Sequence, residues 1–241
     1  MTNVVYNMDC MDFLRAQADK SFDLAIVDPP YGGGYTQELA DGLNGTSESL
    51  SSRNRSRFGG HFDRYDIKAT RTEKYGSKVE HWDIAPPQEY FDELFRVSVN
   101  QIIWGGNYFS LPGTRCFIVW RKLTISEGFS MAMAEYAWAS FNANAKVFEC
   151  VPQGTAGEPR IHPTQKPVAL YKWLLKNYAK SGDRILDTHV GSGSSRIACR
   201  DMGYDFTGCE LDPDYWAAQE ARFKKHCEQG ELFDFVGGKA V

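Results

Sequence analysis

The sequence contains no long apolar run. Its longest uncharged stretch, residues 97–114, carries Asn, Gln, Ser, Pro and three glycines, and is too polar to span a membrane. The N-terminus, MTNVVYNMDCMDF, has no basic stretch ahead of an apolar one and so does not resemble a secretory signal. We therefore expect a cytoplasmic protein without membrane contact.

The sequence also lacks closely spaced cysteine pairs and an excess of basic residues. No two of the six cysteines form a C-x-x-C pair, so a zinc knuckle is disfavoured, and free thiols and no metal are expected. The formal charge of -4 excludes a histone-like or polybasic protein. It does not exclude nucleic-acid binding, because local clusters of charge matter more than the total.

The length and composition are those of one large globular domain. Apolar residues make up 42% and charged residues 24% of 241 residues. Residues 32–85 differ: they open on glycines, continue with Ser, Asn and Gly clusters, and show no apolar period. We therefore predict a single domain over 1–241 with an inserted, loop-rich segment at 32–85.

The last third of the chain has the clearest pattern. A short strand at 184–187 is followed by a glycine turn, a helix at 194–202 and a strand at 205–210. This βαβ order predicts a doubly wound, mostly parallel α/β sheet. Further strands are predicted at 21–27, 101–104, 116–120, 135–141 and 145–151, and helices after Pro86-Pro87, after Pro167, and from Pro213 to about 226.

The turn at 191–193 (Gly-Ser-Gly) would let a ligand approach the backbone and the first N–H groups of the next helix. Glu210, at the end of the following strand, suits the two hydroxyls of a ribose. Arg196 stands where a dinucleotide fingerprint has its third glycine, which counts against a dehydrogenase. The loop favours an adenosine-containing ligand, and a plain strand-to-helix turn remains the alternative.

Residues 28–31 (Asp-Pro-Pro-Tyr) directly follow a buried strand. The prolines remove two backbone donors and leave rigid carbonyls, while Asp28 adds another acceptor and Tyr31 a flat face. This combination suits a planar ring with an exocyclic amine, whose hydrogens need acceptors and whose face can stack. A turn with a surface tyrosine is the alternative.

Four short motifs together resemble the amino-group DNA methyltransferases, which use S-adenosylmethionine. They are 7–10 (Asn-Met-Asp-Cys), the Asp-Pro-Pro-Tyr run, 162–167 (His-Pro-Thr-Gln-Lys-Pro) and 186–194, which contains the glycine turn. Their order is similar to that of the permuted β class. The resemblance implies a Rossmann-like methyltransferase fold in which the inserted segment recognises the target.

The resemblance also assigns roles to residues. Asp187 and the glycines would hold the methionine part of the cofactor, Glu210 the ribose and Asp9 the adenine amine. Thr188 and His189 depart from the usual Pro-Phe of the family, and we expect His189 to be a neutral packing residue. The implied cofactor contacts are Asp9, Cys10, Asp28, Thr164, Lys166, Asp187, His189, Gly191, Ser192, Gly193, Glu210 and Leu211, and the implied catalytic residues are Asp28, Pro29, Pro30 and Tyr31.

The implied activity is methylation of the N6 amine of a flipped adenine in double-stranded DNA. Residues 53–78 hold eight basic and three acidic residues, with aromatic side chains between them. This excess of positive charge would neutralise phosphates, and a solvated loop is the alternative. The DNA contacts expected there are Arg53, Arg55, Arg57, Arg64, Lys68 and Arg71.

Several other functions stay open at this point. Cytosine-N4 methylation uses the same chemistry at the amine, and RNA or a protein glutamine could also fill such a site. Cytosine-C5 methylation is disfavoured because the Asp-Pro-Pro-Tyr run has no cysteine nucleophile. A non-catalytic nucleic-acid-binding relative is the alternative from another class. A homodimer suits a chain of this length, and the sequence does not identify a partner restriction enzyme.

Overall fold

The computed structural model describes residues 2–32, 84–127, 132–152 and 160–237, with side chains up to 229. By its contacts the chain divides into two compact units, Met1–Pro29 with Pro87–Val241, and Pro30–Pro86. In the second unit, a Cβ added to Gly32 would lie 2.7 Å from Ala85 Cβ, so the two ends of that unit meet. The predicted insert at 32–85 falls almost entirely outside the described residues and stays a prediction.

The first unit contains an eight-stranded mixed sheet with helices on both faces. The sheet order is β1-β8-β7-β2-β3-β5-β4-β6, in which β5 runs antiparallel to both of its neighbours. The elements are β1 Asn3–Asn7, α1 Cys10–Ala16, β2 Phe22–Val27, α2 Gln88–Val97, β3 Ser98–Trp104, β4 Cys116–Lys122, β5 Ala134–Ala139, β6 Lys146–Cys150, α3 Val168–Tyr178, β7 Arg184–Asp187, α4 Ser194–Met202, β8 Asp205–Glu210 and α5 Pro213–Gly237, with a short 3-10 turn at Gly106–Tyr108.

The central strands are apolar on both faces because helices cover both. Along β2, Leu24 and Ile26 enter one hydrophobic cluster, whereas Ala25 and Val27 enter the other. Helices α3 and α4 pack into the first cluster, and α1 and α2 into the second. The predicted doubly wound α/β fold is therefore confirmed.

The predicted elements of the last third agree closely with the structure. The strand at 184–187, the helix at 194–202 and the strand at 205–210 have the predicted bounds. Gly203 ends α4 with a φ of +81°, in the left-handed conformation that glycine adopts without strain. The last helix runs to Gly237 rather than to 226, because the sequence beyond 226 carries no proline to stop it.

Two N-terminal elements were not predicted. Strand β1 buries only Val5 completely, and Val4 and Tyr6 are exposed, so its apolar pattern is too short to identify a strand. Helix α1 has seven residues, fewer than periodicity can establish. Among the described residues, no helix combines the length and apolar composition needed to cross a bilayer.

The strand order reverses between β7 and β2. From β7 the chain continues through α4 to β8 on one side, and from β2 it reaches β3 on the other. In doubly wound sheets, ligands bind in the crevice outside the carboxyl ends of the strands at such a reversal. This position directs attention to the residues that follow β7 and β2.

Candidate active site

Four neighbouring parallel strands each have a carboxylate at their last residue or within two residues after it. In sheet order β1, β8, β7 and β2, the acidic residues are Asp9, Glu210, Asp187 and Asp28. Because adjacent strands are about 4.8 Å apart, these side chains form a row along one edge of the sheet. The row includes the two strands at which the order reverses.

Asp187 is the most deeply buried member of the row. Its Oδ2 accepts a hydrogen bond from the Ser195 hydroxyl at 2.6 Å, and its Oδ1 accepts one from the His189 backbone N–H at 3.0 Å. Burial, with the nearby charges of Asp28 and Glu210, raises the pKa of Asp187 to about 7 in spite of these bonds. Asp187 therefore changes charge near neutral pH.

Glu210 ties the glycine turn to β8. Its Oε2 accepts the Gly191 N–H at 2.8 Å, and its Oε1 accepts the Asp212 N–H at 3.0 Å. Burial raises the pKa of Glu210 above its usual range. Leu211, next in the chain, is 63% exposed at this edge. Glu210 thus holds the loop through both of its carboxylate oxygens.

The turn at 191–193 has the glycines that its geometry requires. Gly191 and Gly193 have φ of +52° and +76°, where other residues are strained. The backbone of Ser192 accepts a hydrogen bond from the Arg222 guanidinium at 2.7 Å. A Cβ added to Gly208 on β8 would lie 2.4 Å from Val190, so β8 also needs a glycine for the turn to pack.

The His-Pro-Thr-Gln-Lys-Pro run lies against this turn. A Cβ added to Gly191 would be 3.5 Å from the His162 ring, which packs edge-on against Tyr215 with ring centroids 4.4 Å apart. The Thr164 hydroxyl is 3.1 Å from His162 Nδ1. Burial, aided by the charge of Lys166, lowers the pKa of His162 to about 4, so the ring is neutral at pH 7.

Lys166 contacts the predicted catalytic residue. The structure places its ammonium, from the same run, against Asp28 Oδ2 and 3.2 Å from Glu135 Oε2. Glu135 in turn pairs with Lys122 at 2.6 Å. The sequence analysis identified neither Glu135 nor Lys122. The cofactor contact predicted for Lys166 stays a prediction.

Thr188 and His189, which depart from the family pattern, belong to one hydrogen-bonded chain. The Tyr90 hydroxyl is 2.6 Å from Thr188 Oγ1, which is 2.9 Å from His189 Nδ1. Burial raises the pKa of Tyr90 well above its usual value and lowers that of His189 to about 4. Tyr90 is therefore a neutral phenol and His189 a neutral imidazole, as expected from the sequence, and Thr188 is hydrogen-bonded between them.

We expect Thr188→Val to lower the free energy of unfolding by about 1–3 kcal/mol, because it leaves the buried Tyr90 hydroxyl without this hydrogen-bond partner. Urea denaturation of the wild type and the variant measures this loss. Tyr90→Phe/Thr188→Val also removes the unpaired Tyr90 hydroxyl, so the double variant should be more stable than Thr188→Val alone. A double variant that loses more stability than the two single variants together would show that the Tyr90 and Thr188 hydroxyls do not stabilise each other by a hydrogen bond.

The remaining predicted site residues lie in different places. Asp9 caps α1 by accepting the Met11 N–H at 2.7 Å, and Cys10 begins that helix. Burial, with the charge of Asp9, raises the pKa of Cys10 to about 12 and keeps its thiol protonated. Pro29 is buried directly after β2. Pro30 and Tyr31 belong to the second unit, and the predicted DNA contacts from Arg53 to Arg71 lie outside the described residues.

Comparison with known sequences identifies one family. The N6/N4 family of DNA methylases matches residues 67–221 of this chain. The type II methyltransferase M.HpaI of Haemophilus parainfluenzae is 37% identical over 54 residues, which are 22% of this chain and 17% of that protein. M2.DpnII of Streptococcus pneumoniae is 34% identical over 67 residues, 28% and 25% of the two chains. The chain thus matches a quarter or less of the length of these relatives.

Solved structures share the fold over most of the chain. M1.HpyAVI in complex with S-adenosylmethionine superimposes with a TM-score of 0.51 at 16% identity, covering 90% of this chain and 97% of that one. TTHA0409 of Thermus thermophilus, a putative DNA modification methylase, gives 0.53 at 16% identity, with 93% and 94% covered. The cytosine-N4-specific PvuII DNA methyltransferase gives 0.56 at 10% identity, with 95% and 91% covered.

Proposed function

Since the chain belongs to the N6/N4 family of DNA methylases, we propose that it methylates an exocyclic amine of a base in double-stranded DNA, with S-adenosylmethionine as the methyl donor. The observation that carries this proposal is the row of carboxylates at the ends of β1, β8, β7 and β2. Such a row of hydrogen-bond acceptors suits a ligand with several donor groups along its length. The last acceptor of the row also suits the exocyclic amine of a base placed beside that ligand.

The residues of the row fit the cofactor group by group. An adenosine with a charged amino acid presents an adenine amine, a ribose diol and an ammonium, in that order. Asp9, Glu210 and Asp187 offer acceptors in the same order across the sheet. The glycine turn allows the close backbone approach that such a ligand needs. These residues would hold the cofactor.

Asp28 stands at the end of the row and would face the target. When bound, S-adenosylmethionine supplies a methyl group that its sulfonium already activates, so no covalent enzyme intermediate is required. Asp28 and the Pro29 carbonyl would accept the two amine hydrogens and orient the nitrogen lone pair. Asp28 then takes the proton that the nitrogen loses. Tyr31 would stack on the base, which must leave the duplex to reach this site.

Adenine N6 is the proposed target within this family. The support is the aspartate at position 28, because relatives whose motif begins with aspartate mostly act on adenine. Mass spectrometry of nucleosides tests the proposal, after unmethylated DNA has been incubated with the protein and S-adenosylmethionine. We expect N6-methyldeoxyadenosine. N4-methyldeoxycytidine would overturn the choice of base, and the absence of any methylated nucleoside would overturn the activity.

Double-stranded DNA is the proposed partner, contacted by the basic residues between 53 and 78. We expect Arg53→Glu/Arg55→Glu/Arg57→Glu to weaken DNA binding by about tenfold or more and to flatten its salt dependence, because fewer counterions are released. Fluorescence anisotropy over a salt series measures both. The control reverses three exposed lysines elsewhere, 180, 224 and 225. Equal effects in the two triple variants would contradict a specific role for the arginines.

A further inference from the structure

Behind Asp28 lies a row of four charges that alternate in sign, which we call the charge row. Its members, in spatial order, are Asp28, Lys166, Glu135 and Lys122. They come from the end of β2, the run before α3, β5 and β4. The charge row therefore joins the predicted catalytic acid, after β2, to β5 and β4, which lie beyond β3 in the sheet order.

The two ammonium groups of the charge row are buried. The side chains of Lys166 and Lys122 are 3% and 7% exposed, and their ammonium groups lie 5.3 Å and 5.2 Å from the ring centres of Trp104 and Trp120. A buried charge must be matched by an opposite one, and here two positive groups face two negative ones. The charge row is neutral as a whole.

Lys166 is shared between two carboxylates, and this sharing sets its effect on Asp28. Burial would lower the pKa of Lys166, but Asp28 and Glu135 outweigh it and the pKa is raised, so the group stays charged. Burial would raise the pKa of Glu135, but Lys166 and Lys122 outweigh it and the pKa is lowered. Glu135 therefore competes with Asp28 for the Lys166 ammonium.

We infer that Glu135 is a positioning residue for methyl transfer, which divides the Lys166 ammonium between itself and Asp28. Without Glu135, Lys166 would be directed at Asp28 alone, and Asp28 would be a weaker acceptor for the target amine. Lys122 holds Glu135 in place from the other side and supplies the charge that balances it. This inference rests on the proposed function, because Asp28 must be the acceptor.

The test is a double-mutant cycle on charge. Glu135→Gln keeps the shape of the side chain and leaves one positive charge in excess, so we expect kcat to fall about tenfold. The KM for DNA and the Kd of S-adenosylhomocysteine should change little, because Glu135 is not among the residues proposed to contact either ligand. Glu135→Gln/Lys122→Met is neutral again but still lacks Glu135, so Lys166 stays directed at Asp28 alone and kcat should remain about as low as in Glu135→Gln.

The double variant distinguishes the proposed role of Glu135 from a simple balance of charge and from a structural role. If Glu135 only balanced the charge of the row, the neutral double variant would regain the wild-type kcat, and such a recovery would overturn the inference. If Glu135 only held β5 against β4, removing Lys122 as well would add to the damage, and a double variant clearly slower than Glu135→Gln would also overturn it. An unchanged kcat in Glu135→Gln would also overturn it. If that variant does not fold, Glu135→Asp replaces it: the shorter side chain keeps the charge but draws it away from Lys166, so kcat should fall severalfold, and an unchanged kcat would overturn the inference.

Matched controls separate this inference from the proposed function. Glu149→Gln removes an exposed carboxylate on β6 that pairs with Arg121 of β4 at 2.8 Å. Its kcat should equal that of the wild type. Thermal unfolding and calorimetry with S-adenosylhomocysteine are measured on every variant. A wild type that methylates no DNA would overturn the proposed function, whereas an active wild type with an equally active Glu135→Gln would overturn the inference alone.

Discussion

Asp28→Asn will lower the rate of methyl transfer by about 10²–10⁴-fold while S-adenosylhomocysteine still binds. The amide keeps the size of the side chain but turns one acceptor into a donor, which repels an amine hydrogen and takes up no proton. Binding should survive because the proposed cofactor contacts on Asp9, Glu210 and Asp187 stay intact. Single-turnover transfer of a tritiated methyl group to unmethylated DNA measures the rate, and calorimetry measures the binding.

The control for this variant lies on the same strand. Asp23 of β2 is partly exposed and pairs with Arg184 at 3.1 Å. Asp23→Asn should leave the rate of transfer unchanged. Asp28→Ala is the less informative change, since it opens a space beside the buried Lys166 ammonium and can cost stability. A full rate in a folded Asp28→Asn would show that Asp28 is not the acceptor.

Cofactor affinity should rise steeply with pH between 5.5 and 7, by about tenfold per pH unit, and level off above 7. The cause is Asp187, whose pKa burial raises from 3.8 to about 7. An ammonium is held by the carboxylate and not by the acid, so binding below pH 7 must first remove a proton. Calorimetry with S-adenosylhomocysteine, in buffers of different ionisation enthalpy, should show release of about one proton at pH 6 and almost none at pH 8.

Two histidines near the site do not complicate this titration. His162 and His189 both have a pKa of about 4 and remain neutral across the range. Asp187→Asn should bind more weakly at pH 8 and release no proton at pH 6. The same proton release in Asp187→Asn as in the wild type would show that another group titrates.

The free protein should respond to pH in the opposite direction. A carboxyl whose pKa is raised on folding contributes stability that is present below its unfolded pKa and is lost as pH rises through the folded value. For Asp187 the loss therefore extends from about pH 4 to about pH 7. The increase in Tm produced by S-adenosylhomocysteine should be larger at pH 7.5 than at pH 5.5. At the higher pH the buried Asp187 carboxylate is ionised and destabilises the free protein, and the ammonium of the bound ligand offsets this loss of stability.

The sequence identified the residues proposed to hold the cofactor because they lie in short motifs in continuous segments, and their binding of the cofactor stays a prediction. Asp187, the glycine turn and Glu210 belong to one strand-turn-helix-strand unit whose residues each carry a local signal. Asp28 was predicted for the same reason, since two prolines directly follow it. The structure brings these groups to one edge of the sheet, as their positions at strand ends predict.

The charge row could not be predicted, because it depends on contacts between distant strands. Glu135 and Lys122 are charged residues in two ordinary strands, and nothing near them in sequence distinguishes them from surface residues. Only the antiparallel placement of β5 beside β4 puts Glu135 next to Lys122 and within reach of Lys166. Strand β1 was missed for another physical reason, since a single buried residue gives no periodic signal.

The sheet order also has a consequence for how the protein folds. Strand β2 pairs with β7, and β1 with β8, across about 160 and 200 residues of chain. Contacts between residues so far apart in sequence form slowly, because closing the long loop between them costs conformational entropy before the contacts can stabilise the fold. On a ribosome, the nascent chain would expose unpaired edges of β1 and β2 until β7 and β8 are synthesised. The strands that flank the glycine turn would thus complete the sheet last, and a nucleoside ligand present during refolding should raise the yield.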